Sequence, residues 1–180
     1  MNLPVKQIIL PADLSSAKPG VLDVGLLKNI RPYGQLHRLA ADAYHALRAQ
    51  ALLDNIRPFK PTSAGDTYRT IEMQRRGFVS RYQTEPIVNA STRTWEGKKW
   101  YLRSGNAPMA APGTSNHNLG LAVDIHTASG DRLLWMIKNC ADFGFSWEVQ
   151  SEPWHIRYVA GDRVPVKVQA WLNSHNKESI

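Results

Sequence analysis

The sequence has little of what stabilises a disulfide-rich or metal-clustered small protein. A single cysteine, Cys140, stands in 180 residues. One cysteine cannot form an intrachain disulfide, and it excludes a zinc site built from several thiolates. Its place in the apolar pattern of RLLWMIKNCADFGF predicts a small core residue. Long apolar runs are also missing. No segment reaches the length of about 18 apolar residues that a membrane span needs.

Dense blocks of one charge are missing as well. The net charge is +7, but the basic residues are spread along the chain, with only short doublets at Arg75-Arg76 and Lys98-Lys99. This argues against a dedicated nucleic-acid-binding tract. The positive charge suggests a polyanionic partner or surface, either nucleic acid or an anionic cell envelope, and by itself decides little between them.

The first residues, MNLPVKQIILPADL, lack an apolar signal-peptide core and a small-residue cleavage site. We therefore expect no standard leader. The prolines and scattered apolar residues of 1–33 predict an irregular arm, packed on a domain that covers 34–180.

Apolar periodicity predicts helices over residues 34–54, 70–82 and 129–144, the last capped by Ser129 and ended by Gly144. VPVKVQAWLNSH predicts another helix, STRTWEGKKWYLR a hairpin that turns at Glu96-Gly97, and FSWEVQ and WHIRYVA two strands. Helices and antiparallel strands are mixed without a regular βαβ rhythm. The sequence therefore predicts a single α+β domain with a small antiparallel sheet and flanking helices.

An ionisable residue interrupts one predicted strand, GLAVDIH. Alternation places Leu121, Val123 and Ile125 on a core face, and Asp124 and His126 on the other. An unpaired buried carboxylate costs several kcal/mol or takes up a proton. A metal ion would supply the missing positive charge, and the preceding NHNLG segment can loop His117 back over the same face.

A second cluster, SEPWHIRYV, places Glu152 three residues before His155. Pro153 cannot donate to a central ladder, so we expect a turn there that brings Glu152 back towards His155. Two imidazoles and one carboxylate make a sufficient catalytic zinc set, which leaves a position for water. A further glutamate can take that water's proton and pass it to a leaving amine. This is the inventory of a metallohydrolase.

At these residues the sequence resembles the Hedgehog-fold zinc peptidases. SNHNLGLAVD fits Ser-x-His-x-x-Gly-x-Ala-x-Asp, EPWH fits Glu-x-x-His, and SAGDTYRTIEMQ is similar to the family's Ser-Gly-Tyr-Arg segment with its downstream glutamine. The family comprises bacterial D-alanyl-D-alanine carboxypeptidases and dipeptidases and the L-alanyl-D-glutamate endopeptidases of phage endolysins. The resemblance covers residues 35–159. TRTWEGKKWY and APGTSNH further resemble the peptidase domains of phages that infect actinobacteria.

The resemblance implies one Zn²⁺ bound by His117, Asp124 and His155. It implies that Glu152 acts as general base and then general acid, and that Arg69 stabilises the tetrahedral oxyanion. Four further residues are expected to contact substrate or support the ligands: Ser115, Tyr68, Trp154 and His126. Trp154 is expected to pack under the site. His126 could also replace a ligand.

Two positions depart from the family's pattern. Thr67 stands where the family often has glycine, which puts the loop before Arg69 in doubt. Asn118 also stands where relatives often have glycine, and we expect it to narrow the approach to the metal.

The expected function is hydrolysis of a peptide bond in the stem peptide of bacterial peptidoglycan, in the manner of a D-Ala-D-Ala carboxypeptidase. The resemblance also implies a phage endolysin or its catalytic domain, made in the host cytoplasm and released through a phage-encoded pore. We expect a monomer that binds no nucleic acid and inserts into no membrane.

Three alternatives remain open from the residues. An L-alanyl-D-glutamate endopeptidase of the same fold would use the same groups. Two histidines and a carboxylate also make the facial triad of non-haem Fe(II) oxygenases, although such sites need no dedicated base. The third alternative is a non-catalytic binding module with a relic metal site.

Overall fold

The computed structural model describes residues 2–175, and these form a single α+β domain, as predicted. The four helices are α1 (Arg38–Leu53), α2 (Ile71–Arg81), α3 (Gly130–Asn139) and α4 (Val166–His175). The strands are β1 (Leu27–Asn29), β2 (Gln35–His37), β3 (Tyr82–Gln83), β4 (Thr92–Trp95), β5 (Lys98–Leu102), β6 (Ala122–Asp124), β7 (Phe145–Ser146) and β8 (His155–Tyr158). They form three antiparallel sheets with strand orders β1-β2, β3-β5-β4 and β6-β8-β7. None of the helices described combines the length and the hydropathy that a bilayer crossing needs.

The main core lies between helix α1 and the β6-β8-β7 sheet. The buried face of α1 repeats at three- and four-residue intervals and includes Ala40, Ala43, Tyr44, Leu47 and Ala51. The small alanines let the helix lie close to its neighbours. The sheet contributes fully buried apolar side chains at Val123, Phe145 and Ile156. This packing fixes the backbone of the strands that carry the predicted ligands.

A second, smaller cluster packs the β3-β5-β4 sheet onto helix α2. Phe78 stacks on Tyr82 with ring centroids 4.5 Å apart, and it meets the edges of Trp95 and Trp100 at 5.4 Å each. The β4–β5 hairpin turns at Glu96 and Gly97, as predicted, and both residues have positive φ angles. Two such residues are typical of a type I′ turn, whose twist matches that of the strands. These aromatic contacts and the tight turn therefore hold the hairpin in place beside α2.

Residues 2–26 run along the domain and contact the segments around the predicted site. Val5 and Ile9 form parallel bridges to Trp147 and Ala160. Further along, the Gly20 amide donates to the Asn118 carbonyl at 2.7 Å, and the Gly20 carbonyl accepts from the Ile71 amide. The division into an arm (1–33) and a domain (34–180) stays a prediction, and the predicted domain end lies outside the described residues.

Several predicted boundaries shift in the structure. The first helix begins at Arg38 because residues 35–37 pair with β1. The predicted strand 120–126 is hydrogen-bonded as β6 only over Ala122–Asp124, and FSWEVQ is strand only at Phe145–Ser146. Ser129 precedes α3 but makes no capping hydrogen bond, whereas Gly144 has the expected left-handed φ of 82°. Cys140 is fully buried, as predicted, and burial raises the pKa of its thiol.

Candidate metal centre and active site

Three predicted ligands converge from three separate segments. His117 lies in a short 3-10 helix (Asn116–Leu119), Asp124 ends β6 and His155 begins β8, where it is directly paired with Asp124. One ligand atom from each residue lies within 4.8 Å of the others. The Asp124 carboxylate is 3.3 Å from Nε2 of His117 and 2.8 Å from Nδ1 of His155. The acidic residue in the strand therefore faces two imidazoles.

A left-handed turn at Gly120 brings His117 over the sheet. Gly120 has a φ of 66°, and a Cβ atom added there would lie 2.7 Å from the backbone nitrogen of His37. Glycine is therefore required both by the backbone angle and by the close approach of β2. Before the turn, the Ser115 side chain accepts a hydrogen bond from the His117 amide, which fixes the start of the 3-10 helix.

The partners of the outer ring nitrogens assign the tautomer of each histidine. Nδ1 of His117 lies 3.0 Å from the Thr67 carbonyl, which only accepts, so this nitrogen carries the hydrogen and Nε2 is free towards Asp124. Nε2 of His155 lies 2.9 Å from the Glu148 carboxylate, so Nδ1 is free towards Asp124. Histidine ligands of metals are held in this way by carbonyl or carboxylate acceptors. The donor set of two imidazoles and one carboxylate fits a zinc ion.

Glu148 belongs to the site although the sequence analysis did not include it. Its carboxylate accepts from Nδ2 of Asn116 at 2.7 Å and from Nη1 of Arg157 at 3.0 Å, in addition to His155. Burial alone would raise the pKa of Glu148, but the hydrogen bonds from His155 and Arg157 hold it at about 2. The only sequence signal was an acidic residue in the otherwise aromatic and aliphatic FSWEV. The pattern of FSWEVQ predicts a strand and assigns no role to Glu148.

The ionisation of the cluster is set by competition between burial and hydrogen bonding. Burial opposes charge on Asp124, yet the two imidazoles hold the pKa of this carboxyl well below its usual range. Burial likewise opposes charge on His155, yet Asp124 and Glu148 raise its pKa to about 9.

A cavity of about 750 Å³ opens over the three ligands. Glu152 and Arg69 line it together with His117, Asp124 and His155, and Ser115 lies on its wall. The guanidinium of Arg69 is held in place by the Gly65 carbonyl at 2.7 Å and by Oε1 of Gln74 at 2.9 Å. Burial lowers the pKa of Arg69, and Asp124 nearby acts in the opposite direction.

Three of the predicted supporting residues lie elsewhere than expected. Trp154 is 43% exposed on the cavity wall and does not pack under the ligands. The Tyr68 hydroxyl accepts from the Leu22 amide and the His126 amide donates to the Lys60 carbonyl. Neither Tyr68 nor His126 lines the cavity, and His126 is not part of the ligand group. Their predicted substrate contacts are not supported by this placement.

The two departures from the family pattern are structural. Thr67 is fully buried, donates its hydroxyl to the Ala64 carbonyl and presents its own carbonyl to His117. The expectation that Asn118 narrows the approach to the metal is wrong, because its side chain is buried and donates to the Arg69 carbonyl at 2.7 Å. Both residues thus fix the loop that carries Arg69.

Known proteins are similar to this chain in sequence and in fold. A sequence profile of the VanY family, described as D-alanyl-D-alanine carboxypeptidase, matches residues 34–161. The chain belongs to this family. A curated D-alanyl-D-alanine carboxypeptidase of Enterococcus faecalis is 32% identical over 148 residues. That alignment covers 72% of this chain and 47% of the relative, so the chain spans about half the length of the curated relative.

Solved structures of VanY proteins share the fold. VanYB in complex with D-alanine-D-alanine superposes with a TM-score of 0.53 at 21% identity, covering 95% of this chain and 92% of the other. A VanY D,D-pentapeptidase variant in complex with Zn(II) gives 0.51 at 22% identity, covering 88% and 86%. The LD-carboxypeptidase LdcB gives 0.53 at 21% identity, covering 87% and 77%. The predicted DD-peptidase fold is confirmed.

Proposed function

We propose that this VanY-family domain is a zinc-dependent peptidase that removes the terminal D-alanine from peptidoglycan stem peptides. The observation that carries the proposal is the convergence of His117, Asp124 and His155 in one cavity with Glu152 and Arg69. Family membership supports the substrate class, because the profile and the curated relative carry the description D-alanyl-D-alanine carboxypeptidase. A structural neighbour that holds Zn(II) supports the choice of metal.

In this proposal each residue has one task. Nε2 of His117, a carboxylate oxygen of Asp124 and Nδ1 of His155 hold the ion. When bound, zinc acts as a Lewis acid and lowers the pKa of a water molecule to about 7. Glu152 accepts the proton of the attacking water and delivers it to the amine of the departing alanine. The fixed guanidinium of Arg69 donates to the oxyanion that develops on the scissile carbonyl.

We also propose that the domain works as the catalytic part of a phage endolysin, made in the host cytoplasm and released to the cell wall through a phage-encoded pore. The motifs shared with actinobacteriophage peptidases support this role, and so does the positive charge of +7, which suits an anionic envelope.

The test is digestion of purified peptidoglycan followed by mass spectrometry of the muropeptides. The expected result is loss of one alanine from pentapeptide stems. A new amino terminus on glutamate would instead identify an L-alanyl-D-glutamate endopeptidase. Release of no fragment by the zinc-loaded protein would contradict a hydrolase and favour a binding module.

Glu152→Gln tests the assignment of the base. This change removes the proton acceptor but leaves all three ligands, so we expect loss of hydrolysis with unchanged zinc stoichiometry, measured by metal analysis of the purified protein. Glu85→Gln, at an exposed residue that follows β3 and does not line the cavity, is the control and should keep full activity. Hydrolysis retained by Glu152→Gln would contradict the assignment of Glu152 as the general base.

A further inference from the structure

Two arginines on the cavity wall have no role in the chemistry described above. Arg81 comes from the last turn of α2 and Arg93 from strand β4, and both line the cavity that contains the three ligands. Each guanidinium uses one nitrogen on a backbone carbonyl. Nη1 of Arg93 donates to Thr92 at 2.9 Å, and Nη1 of Arg81 reaches Ala107 at 3.5 Å. The remaining N–H groups of both are not engaged by these contacts.

Neither of these arginines forms an ion pair with a carboxylate of the described residues. Across residues 2–175, no ion pair joins a carboxylate to Arg69, Arg81 or Arg93. Four carboxylates line the same cavity, and Glu152 among them has no ion-pair partner in the described residues. Asp124 and Glu148 are engaged by the histidines and Arg157. Asp66 accepts from the Ser63 hydroxyl at 2.7 Å. Burial is the largest cause that lowers the pKa of Arg69, Asp124 and Asp66 act to raise it, and the charge of Arg81 lowers it.

A guanidinium that lines a cavity without an ion-pair partner can bind an anionic group of a ligand. The guanidinium fork matches a carboxylate, which it can bind through two parallel hydrogen bonds. Because the arginines and the ligand trio line one cavity, the anionic group would belong to the same molecule that reaches the trio. A peptide stem carries two such groups, its C-terminal carboxylate and the free carboxylate of its glutamate.

We propose that Arg81 and Arg93 form a substrate-binding subsite for a carboxylate of the stem peptide. This inference rests on the proposed function for the identity of the peptide, but binding can be measured without hydrolysis. The β4–β5 hairpin and the end of α2, held together by the Phe78 cluster, would then set specificity, while the β6-β8-β7 sheet carries the reaction.

The experiment measures peptide affinity by calorimetry in the zinc-loaded Glu152→Gln protein. Arg81→Gln and Arg93→Gln are added singly, with Arg76→Gln on α2 and Lys98→Gln on the hairpin as controls that remove a positive charge outside the cavity. We expect about 10- to 100-fold weaker binding for each cavity variant, the ordinary range for a hydrogen bond to a charged group, and no change for the controls. Arg93→Lys should restore part of the loss, because it keeps the charge and loses the fork.

Three peptides identify which carboxylate is bound: the free acid, its C-terminal amide, and a peptide with the glutamate carboxylate amidated. The peptide that lacks the bound carboxylate should bind weakly to the parent Glu152→Gln protein. Adding Arg81→Gln or Arg93→Gln should not change the affinity for that peptide. Equal affinity of parent and cavity variants for all three peptides would overturn the subsite, as would an equal loss for peptides with and without the carboxylates. No detectable binding of any peptide by the parent would also overturn it. If the wild-type protein cleaves nothing but binding depends on the arginines, the proposed function fails and the subsite stands.

Discussion

At the scale of single residues, the site depends as much on groups behind the ligands as on the ligands. His155 could rotate or take either tautomer, and only the Glu148 carboxylate on Nε2 aims Nδ1 at Asp124. His117 is fixed in the same sense by a backbone carbonyl, which no side-chain substitution at Thr67 can remove. The two ligands therefore differ in how a mutation can disturb them.

Glu148→Gln should weaken zinc binding without removing a ligand. The amide keeps the size of the side chain but loses the charge that holds the His155 hydrogen and pairs with Arg157. Loss of the hydrogen-bond partner of a metal-binding histidine typically weakens metal affinity about 10- to 100-fold. Competition with a chromophoric chelator would measure the loss, and Glu85→Gln should show none. A zinc affinity equal to that of the wild-type protein would mean that Asp124 and the strand backbone orient His155 without Glu148.

At the scale of elements, the sequence predicts what local pattern determines and misses what tertiary packing determines. Helix α2 was predicted over 70–82 and spans Ile71–Arg81, because the Thr70 side chain caps it by accepting from Met73 and apolar Phe78 anchors it. The FSWEVQ stretch alternates like a strand, yet pairing with β8 ends after Ser146. Only the chain reversal before Pro153 turns Glu148 towards His155, and no local signal encodes that contact.

The candidate ligands could be predicted because the family motifs and strand parity both point to them. The motif does not determine the position of Tyr68: its neighbour Arg69 lines the cavity, whereas the Tyr68 hydroxyl accepts from the Leu22 amide. Residues adjacent in a motif face opposite ways on an extended segment. Motif membership therefore located the loop correctly but did not determine which of its side chains line the cavity.

The stability of the fold is expected to depend on pH because of His37, which lies at the junction of β2 and α1. His37 is fully buried, Nε2 contacts Asp13, and its Nδ1 has no hydrogen-bond partner among the residues described. Burial lowers the pKa of His37 below 6.5, while Asp13 and Asp162 oppose this change and Arg38 adds to it. The unfolded chain therefore binds a proton first as the pH falls below about 6.5, and the free energy of unfolding decreases.

Replacement of His37 by glutamine isolates this effect. Urea unfolding in a chelator at pH 7.5 and 5.5 should show a larger loss of stability on acidification in the wild-type protein than in His37→Gln. His175→Gln, at the exposed end of α4, serves as the control and should behave like wild type. An equal pH dependence in wild type and His37→Gln would show that His37 becomes charged in the folded state without cost.

At the scale of the whole molecule, the metal ligands join parts of the chain that are distant in sequence. His117 is followed directly by Asn118, whose carbonyl accepts from Gly20 near the N-terminus, and the Thr67 carbonyl supports His117 from the segment before α2. Asp124 and His155 lie on adjacent strands of the β6-β8-β7 sheet. A cation that binds only when these parts are assembled stabilises the folded state by mass action. At a zinc concentration of about 100 times the Kd, this amounts to about 2.7 kcal/mol.

Zinc should therefore raise the midpoint of thermal unfolding, and chelation should lower it. For a domain of this size the expected shift is about 5–10 °C, because each kcal/mol changes the midpoint by roughly 2–4 °C. Differential scanning calorimetry with zinc and with EDTA measures it, and the shift should disappear in Asp124→Asn, which removes the ligand charge shared by both histidines. Magnesium is the control cation, since a site with two imidazoles does not suit its preference for oxygen ligands. An equal zinc-dependent shift in wild type and Asp124→Asn would place the stabilising ion elsewhere on the molecule, and the proposed metal centre would then lose its support.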